Sequence, residues 1–252
     1  MMPLNWSDKL TSMNAILDPI QRQPVSEALY RQLKGRILSG DFKPGERLPS
    51  ERVLSEASGI NRGAVREAVK RLQQAGLIAV RQGGNHEVLD FLQEAGPELL
   101  PSLLLGGEGF NPKVVCDLMA MRSVLAPEIA AAAARRSTPE LVANLQRHCD
   151  GMRAQQADLP ALQRLAMAFW QALVIGSDNV AFRLSFNAMR QSYLQAWDAL
   201  TLPMADEFRD IERLQGIADA VARRDATAAL ALAKQHVGLG QSAIQQLLGQ
   251  TA

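Results

Sequence analysis

Three basic side chains, Arg62, Arg66 and Lys70, recur at four-residue intervals in the first third of the chain. Four-residue spacing places side chains along one face of a helix. Guanidinium and ammonium groups in such a row can pair with DNA phosphates, and an arginine can also bind O6 and N7 of a guanine. The spacing therefore predicts a helix that contacts nucleic acid.

The sequence before this helix predicts the elements that position it. Residues 25–39 have an amphipathic helical pattern, with leucine and isoleucine on one face. Ser50 is predicted to cap a short helix with Val53 and Leu54 inward, and Gly59 to supply the bend. These features predict two helices that lead into the basic one.

The basic helix is predicted to start at an Asn61 cap and to stop at Gly76. Its apolar face consists of Val65, Ala68, Val69 and Leu72. The following stretch, LIAVRQGGNHEVLDF, contains two β-prone runs separated by Gly-Gly, which predicts a hairpin. Helix, helix, turn, helix and hairpin together define a winged helix-turn-helix.

We expect the DNA contacts to come from both helices and from the hairpin tip. Gly63 lets the backbone approach closely, and a small polar tip suits a minor groove. The predicted contact residues are Arg52, Asn61, Arg62, Gly63, Arg66, Lys70, Gln82, Gly83, Gly84 and Asn85.

The charge of the chain is divided unevenly along its length. The net charge is only +1, yet residues 31–86 hold 11 Lys and Arg against 5 Asp and Glu. The rest of the chain holds 16 basic and 21 acidic residues. A basic module joined to an acidic one is expected when one part meets phosphate and the other does not.

The 252 residues divide into a polar arm, 1–24, a winged helix-turn-helix, 25–90, and an all-helical domain, 91–252. The fold class is thus mainly α, with a winged helix-turn-helix followed by an all-α helical bundle. The predicted helices of the second domain are 97–105, 111–135, 138–155, 159–176, 179–200, 206–223 and 226–248. No long apolar run or secretion signal is evident, which predicts a cytoplasmic protein without a membrane partner.

The stretch LPSERVLSEASGINRGAVREAVKRLQQAGLIAVRQGG resembles the GntR-type regulators. The residues that match their usual run are Pro49-Ser50-Glu51-Arg52, Gly59, Arg62, Val65-Arg66-Glu67-Ala68 and Gly76-Leu77. This resemblance implies that Arg52, Arg62 and Arg66 contact DNA, and that a homodimer reads a palindromic double-stranded operator. Asn61 stands where Ser or Thr is usual.

The helical domain resembles that of the FadR subgroup, whose members sense a small molecule inside a helical bundle. Most members hold a metal through an Asp and three His side chains. Here Ala166, Trp170 and Leu214 stand at three of those positions, and only His236 remains. We therefore expect no bound metal and no cofactor; the alternative is a site rebuilt from residues 148–150.

The stretch FWQALVIGSDNVAFRLSFNAMRQSYLQAW is similar to the metal-free, acyl-CoA-sensing FadR proteins, which favours a fatty acyl-CoA or related apolar acid as effector. A small carboxylate or sugar acid is the alternative. Two glycines within the last helix, Gly238 and Gly240, suggest a close approach by a ligand or a helix. The predicted effector residues are Arg122, for an anionic head group, Trp170, Phe186, Tyr193, Trp197, His236 and Gly238.

The function expected is a ligand-controlled transcription regulator that acts as a repressor. An enzyme is the second class, and the chain offers no Ser/His/Asp or Cys/His constellation, phosphate-binding glycine loop or paired carboxylates for it. An architectural DNA-binding dimer without an effector is the third. We expect no catalytic activity.

Overall fold

The computed structural model describes residues 24–81, 85–106 and 109–249. It divides into two compact units, Met1–Ala95 and Gly96–Ala252. Residues 1–23 of the expected N-terminal arm and the hairpin tip, residues 82–84, lie outside the described residues.

The first unit has three helices followed by a hairpin and a short fourth helix. These elements are α1 (Val25–Leu38), α2 (Glu51–Ser58), α3 (Arg62–Gln74), β1 (Ile78–Arg81), β2 (Asn85–Val88) and α4 (Phe91–Glu94). The two strands are antiparallel, with Ile78 opposite Val88 and Arg81 opposite Asn85. This order is the predicted winged helix-turn-helix.

The core of the first unit is formed by the apolar faces of its helices and by the base of the hairpin. Its buried side chains are Leu29, Leu33, Ile37, Leu48, Leu54, Val65, Ala68, Val69, Leu72, Leu77, Ile78 and Val88. The prediction that Val53 faces inward is wrong, because its side chain is 41% exposed. In a helix of only eight residues the buried face holds Leu54, and the neighbouring position is turned about 100° away from it.

A polar contact joins α1 to α3 at the edge of this core. The guanidinium of Arg71 pairs with Glu27 and lies 4.5 Å from the centre of the Tyr30 ring. Hydrogen bonds from Arg71 and Arg31 lower the pKa of the Glu27 carboxyl. This arginine on α3 therefore serves the fold, whereas Arg62, Arg66 and Lys70 face solvent.

The second unit is almost entirely helical. After a 3-10 turn at Pro97–Leu99, its elements are α5 (Leu100–Leu104), β3 (Leu105–Gly106), β4 (Gly109–Phe110), α6 (Pro112–Arg135), α7 (Pro139–Ala154), α8 (Leu159–Gly176), α9 (Val180–Gln195), α10 (Trp197–Thr201), α11 (Ala205–Arg209), α12 (Ile211–Ala222) and α13 (Ala226–Gly249). Asn111, Thr138, Asp158 and Asn179 cap four of these helices with side-chain oxygens.

Three details of this unit differ from the sequence-based expectation. The glycine-rich stretch after α5 forms a two-residue β-ladder, so the unit is not wholly helical. The predicted helix 179–200 is interrupted at Ala196, and 206–223 is interrupted at Asp210. Asp210 has φ −78° and ψ 57°, and its carboxylate bonds to Arg213 and His236 instead of continuing a helix.

The core of the second unit is organised around α6 and α13, which pack along each other more extensively than any other described pair of elements. Small residues form their contact, since Ala130, Ala133, Ala229 and Ala233 are fully buried. Such residues let two helix axes approach closely. Helix α8 packs on α7 and α6, and α12 completes the bundle.

None of the helices in the described ranges is long and apolar enough to cross a membrane.

Candidate DNA-contacting surface and effector cavity

The N-terminal end of α3 is built by side-chain caps and one left-handed residue. Ser50 Oγ accepts the Val53 N–H at the start of α2, and Gly59 closes that helix with φ 68°. Asn61 Oδ1 then accepts the Ala64 N–H at 2.9 Å. These caps confirm the predicted helix boundaries, and they leave Arg62, Arg66 and Lys70 on the exposed face of α3.

The basic side chains on this face differ in their partners. Arg52 pairs with Glu56 at 2.7 Å, and Arg66 Nε lies 3.6 Å from a carboxylate oxygen of Glu51. Arg62 forms no ion pair with any residue that the structure describes. Lys70, about two turns further along the same face of α3, also has no ion pair with a described residue. All of these pairs are solvent-exposed, so DNA phosphates can compete for the arginines.

Gly63 and Asn85 complete the part of the predicted surface that is described. A Cβ atom at Gly63 would lie 3.2 Å from Asn61 Oδ1, so the glycine leaves room for the capping side chain. Asn85 is exposed and begins β2. The other predicted residues at the hairpin tip, Gln82, Gly83 and Gly84, fall outside the described residues.

A cavity of about 130 Å³ lies inside the second unit, and its walls are almost wholly apolar. It is enclosed mainly by α6, α8, α9 and α11. The residues that line it are Leu104, Val115, Leu118, Met119, Arg122, Ala126, Ile129, Gln163, Ala166, Met167, Trp170, Phe186, Met189, Arg190, Ser192, Tyr193, Ala196, Leu200, Met204, Glu207 and Phe208. Four of the seven predicted effector residues are among them: Arg122, Trp170, Phe186 and Tyr193.

The other three predicted effector residues do not line this cavity. Trp197 packs edge-on against Tyr193, with ring centres 5.3 Å apart. His236 is fully buried behind Trp170, with ring centres 6.1 Å apart. A Cβ atom at Gly238 would meet no described protein atom within 4 Å, so no helix approaches this glycine closely, and its contact with an effector stays a prediction.

Arg122 is paired inside the protein, which changes its expected role. Its guanidinium forms two hydrogen bonds with Glu207, one of them from Nη1 to Oε2 at 2.9 Å. The Glu207 side chain is 2% exposed. Burial opposes the charge on Arg122, but the neighbouring Glu207 carboxylate raises its pKa. The prediction that Arg122 is available for an anionic head group is therefore corrected, because Glu207 already neutralises it.

Gly240, two residues beyond Gly238, makes the close approach that the sequence suggested for this helix. Its N–H donates to Glu207 Oε2 at 3.1 Å. A Cβ atom at Gly240 would lie 2.2 Å from that oxygen and 2.6 Å from Met204 Cε. Glu207 thus connects Arg122 on α6 to the backbone of α13 through a space that only glycine leaves open.

The side-chain amide of Gln163, a second polar group in the cavity wall, also has hydrogen-bond partners within the protein. Gln163 Nε2 donates to Tyr193 Oη at 2.8 Å and to the Trp197 carbonyl at 2.9 Å, and its Oε1 accepts from Thr201 Oγ1. Burial raises the pKa of Tyr193 to about 12, although the Gln163 hydrogen bond acts in the opposite direction. The phenol is thus neutral at physiological pH and keeps its proton for donation.

Arg190 is the cavity residue that the sequence analysis missed. It lies four residues after Phe186 and three before Tyr193, so it shares a helix face with those two predicted residues. It is partly exposed, and within the described ranges it has no carboxylate partner. Glu207 and Gln163 were missed as well, and nothing in their sequence surroundings indicates a cavity.

The positions that correspond to the metal site of the FadR subgroup do not fit a metal. Ala166 and Trp170 line the apolar cavity, and Leu214 is fully buried. His236 Nδ1 lies 3.3 Å from Asp210 Oδ2, and the Trp170 ring covers one side of the imidazole. No group of three or more His, Cys, Asp or Glu side chains in the described part of the chain is arranged to hold a metal ion.

A basic winged helix and a separate helical unit with an internal cavity define a ligand-responsive transcription regulator, and comparison with known proteins identifies its family. Residues 25–88 match the model of the bacterial regulatory proteins of the gntR family, and residues 117–239 match the FCD domain. The chain belongs to the GntR family of transcription regulators, in its FadR subfamily.

Individual relatives agree with this assignment. The chain is 37% identical to the HTH-type transcriptional regulator Mce2R of Mycobacterium tuberculosis, over 92% of this chain and 96% of that protein. It is 29% identical to the fatty acid metabolism regulator protein of Edwardsiella ictaluri, over 62% and 64% of the two chains. A solved structure described as Lar, which controls the expression of the Listeria monocytogenes agr system, shares the fold at a TM-score of 0.56 and 15% identity, covering 90% and 99%.

Proposed function

We propose that this regulator binds a palindromic operator as a homodimer, and that an apolar acyl compound in the cavity of the second unit changes its operator affinity. The DNA contacts proposed are those of the first unit: Arg52, Asn61, Arg62, Gly63, Arg66, Lys70 and the hairpin tip with Asn85. We further propose that the protein acts as a repressor in the cytoplasm.

The observation that carries the DNA-binding part is the basic face of α3. Arg62 and Lys70 have no acidic partner among the residues described, and Arg66 has only a distant, exposed one. Uncompensated charge at the start of a helix whose opposite face is buried is what major-groove recognition requires. A twofold dimer would present two such helices to two matching half-sites.

The test is selection of an operator from a random double-stranded library, followed by fluorescence anisotropy with the selected sequence. We expect Arg62→Ala to lower the affinity by roughly five- to 150-fold, since loss of a base or phosphate contact costs about 1–3 kcal/mol. Lys113→Ala is the matched control, because Lys113 is an exposed basic residue of the second unit. A selected site without twofold symmetry, bound by one chain, would contradict the dimer.

The observation that supports an acyl effector is the composition of the cavity wall. Met119, Ile129, Phe186 and Met189 are among its apolar side chains, and the pairs Arg122–Glu207 and Gln163–Tyr193 are already satisfied. A sugar acid needs several hydrogen-bonding partners, and this wall offers few. An architectural dimer needs no cavity at all. The fatty acid metabolism regulator named above supports the same chemical class.

The effector is tested by repeating the anisotropy titration with saturating fatty acids and acyl-CoA thioesters, each against a hydrophilic acid such as gluconate. We expect operator affinity to change with acyl compounds and to remain the same with gluconate. Equal operator affinity in every titration would refute effector control, and the DNA-binding part of the proposal would stand.

A further inference from the structure

The polar groups of the cavity wall lack a free hydrogen-bond acceptor for a ligand. Glu207, the only carboxylate among its described lining residues, is occupied by Arg122 and by the Gly240 N–H. Gln163 uses both its amide hydrogens and its oxygen. The wall therefore has no free strong acceptor on a charged or amide side chain, and a ligand amine would find no counter-ion there.

Two donors in the same wall have no protein partner among the described residues: the partly exposed Arg190 guanidinium and the buried Trp170 indole N–H. Arg190 carries a full positive charge and forms no ion pair or side-chain hydrogen bond with the described residues. Trp170 is 7% exposed, and its Nε1, which can only donate, is buried with no hydrogen-bond partner within the described part of the protein. Buried donors without acceptors are rare, because each costs about 1–3 kcal/mol.

The helical hairpin of α8 and α9 places these two donors within about one helical turn of each other along the cavity. The hydrogen bond between Gln163 and Tyr193 fixes its register. Counting from that pair toward the turn, Ala166 stands opposite Arg190, and Trp170 stands about one helical turn further on, opposite Phe186. One turn is about 5.4 Å, which is within the reach of an arginine side chain. The small side chain of Ala166 leaves the space between them open.

The size of the cavity limits how large a ligand can be beyond its hydrogen-bond acceptor group. Its volume of about 130 Å³ compares with the engineered apolar cavity of about 150 Å³ that binds benzene. A short apolar chain fits this space, whereas the nucleotide part of coenzyme A does not.

We propose that the cavity binds a compact apolar monocarboxylate, whose carboxylate pairs with Arg190 and accepts the Trp170 indole N–H, while its chain lies against the methionine and phenylalanine side chains. This inference rests on the proposed effector role and makes its ligand class specific. The wall has donors but no free acceptor, so it should favour a carboxylate over an alcohol or an amine. An alcohol lacks the negative charge that pairs with Arg190, and an amine brings a further donor with no acceptor to receive it.

The first test is calorimetric titration of the full chain, without DNA, with octanoate, 1-octanol, octylamine and octanoyl-CoA. We expect saturable binding of octanoate and at least tenfold weaker binding of octanol, because a hydrogen-bonded charge is worth about 1.5–3 kcal/mol. Octanol that binds as tightly as octanoate would overturn the proposal. The proposal would also be overturned if octanoyl-CoA were the only one of the four compounds to bind, or if none of them bound.

The second test assigns the two donors. Arg190→Gln is expected to weaken octanoate binding at least tenfold, and Arg183→Gln, an exposed position on the same helix, is expected to leave it unchanged. The chain has three tryptophans, and Trp170→Phe identifies the Trp170 indole signal in ¹H–¹⁵N spectra. In the unaltered protein that signal should move downfield with octanoate, and a stationary signal would refute the indole contact even if Trp170→Phe does not fold.

Failure of the carboxylate assignment can be distinguished from failure of the proposed regulatory function. Operator binding is measured separately by anisotropy. A protein that binds its operator but no carboxylate would lose this ligand assignment alone. A protein that binds octanoate but no operator would lose the DNA-binding proposal and keep the cavity assignment.

Discussion

Arginine–glutamate pairs occur in both units of this protein, and their surroundings give them opposite roles. Arg52–Glu56 in the first unit has both side chains 62% exposed, whereas Glu207 of the Arg122–Glu207 pair in the second unit is 2% exposed. Water and salt screen the first pair, so its net contribution to folding is small and its arginine can exchange partners. In the second pair the Glu207 carboxylate has been removed from water and Arg122 is only 22% exposed, so the carboxylate depends on the arginine for its stabilisation. An arginine with an exposed partner is thus available for DNA, while an arginine paired with a buried carboxylate is committed to the fold.

The strongest test of this contrast removes one charge of the buried pair. We expect Glu207→Gln to lower the free energy of unfolding by about 3 kcal/mol, the low end for a broken buried pair, because Arg122, whose side chain is 22% exposed, then loses its counter-ion. Urea denaturation measures the change, and Glu128→Gln, an exposed acid on α6, is the control. The double variant Arg122→Met with Glu207→Leu should recover most of the loss, and a double variant as unstable as the single one would break the comparison.

Substitution of Gly240 tests the packing around the Arg122–Glu207 pair without removing either charge. Gly240→Ala places a Cβ atom against Glu207 and Met204, and overpacking of this kind costs about 1–3 kcal/mol. Gly238→Ala meets open space in the same helix, and replacing an interior helical glycine there should stabilise by about 0.5–1 kcal/mol. Thermal unfolding of both variants measures this, and shifts of equal sign would contradict the assigned geometry.

The charges around His236 predict a pH dependence. Burial opposes ionisation of Asp210, but its hydrogen bond to His236 and the charges of His236 and Arg213 outweigh burial and lower the pKa of the carboxyl. A lowered pKa contributes stability above the unfolded-state value of about 3.9, and this contribution is lost as the pH falls through the lower folded-state pKa. Asp210→Asn should thus be less stable than the unaltered protein at pH 7, by about 1–2 kcal/mol. The difference should shrink below about pH 4, and a constant gap from pH 7 to pH 3 would refute the role of the Asp210 charge.

The smallest effect is expected from the exposed pair. Arg52→Ala should change the free energy of unfolding by less than about 0.5 kcal/mol, as is usual for exposed i, i+4 pairs. Its operator affinity should nonetheless fall if the arginine serves DNA. Denaturation and anisotropy on the same preparation check both statements, and a large loss of stability would remove the distinction between the two kinds of pair.

The sequence predicted the surface of the first unit better than the interior of the second for a physical reason. Arg62, Arg66 and Lys70 are exposed because a single helix repeats every 3.6 residues, and this period is readable in local sequence. The Arg122–Glu207 pair joins residues 85 positions apart, and no local pattern encodes which distant carboxylate meets which arginine. The head-group role expected for Arg122 failed for that reason.

The same limit explains the glycines and the cavity residues. Periodicity places Gly238 and Gly240 on the same helix, but only the packed neighbour decides which of them needs to lack a side chain. Arg190 was recoverable from the sequence, since its spacing from the predicted effector residues Phe186 and Tyr193 is helical. His236 was predicted from the resemblance, and its imidazole instead lies behind Trp170, between the carboxylates of Glu207 and Asp210.

The carboxylate of Glu207 has a consequence for selectivity inside a cell. Acetate, citrate and phosphate are abundant there, and a bare guanidinium at the cavity wall would sample them continually. Because a built-in anion already holds Arg122, a free acid must displace a tethered competitor with a very high local concentration to reach it. Arg122 is in this way withheld from the common anions of metabolism, and Arg190 is left as the guanidinium of the cavity wall that a ligand can reach.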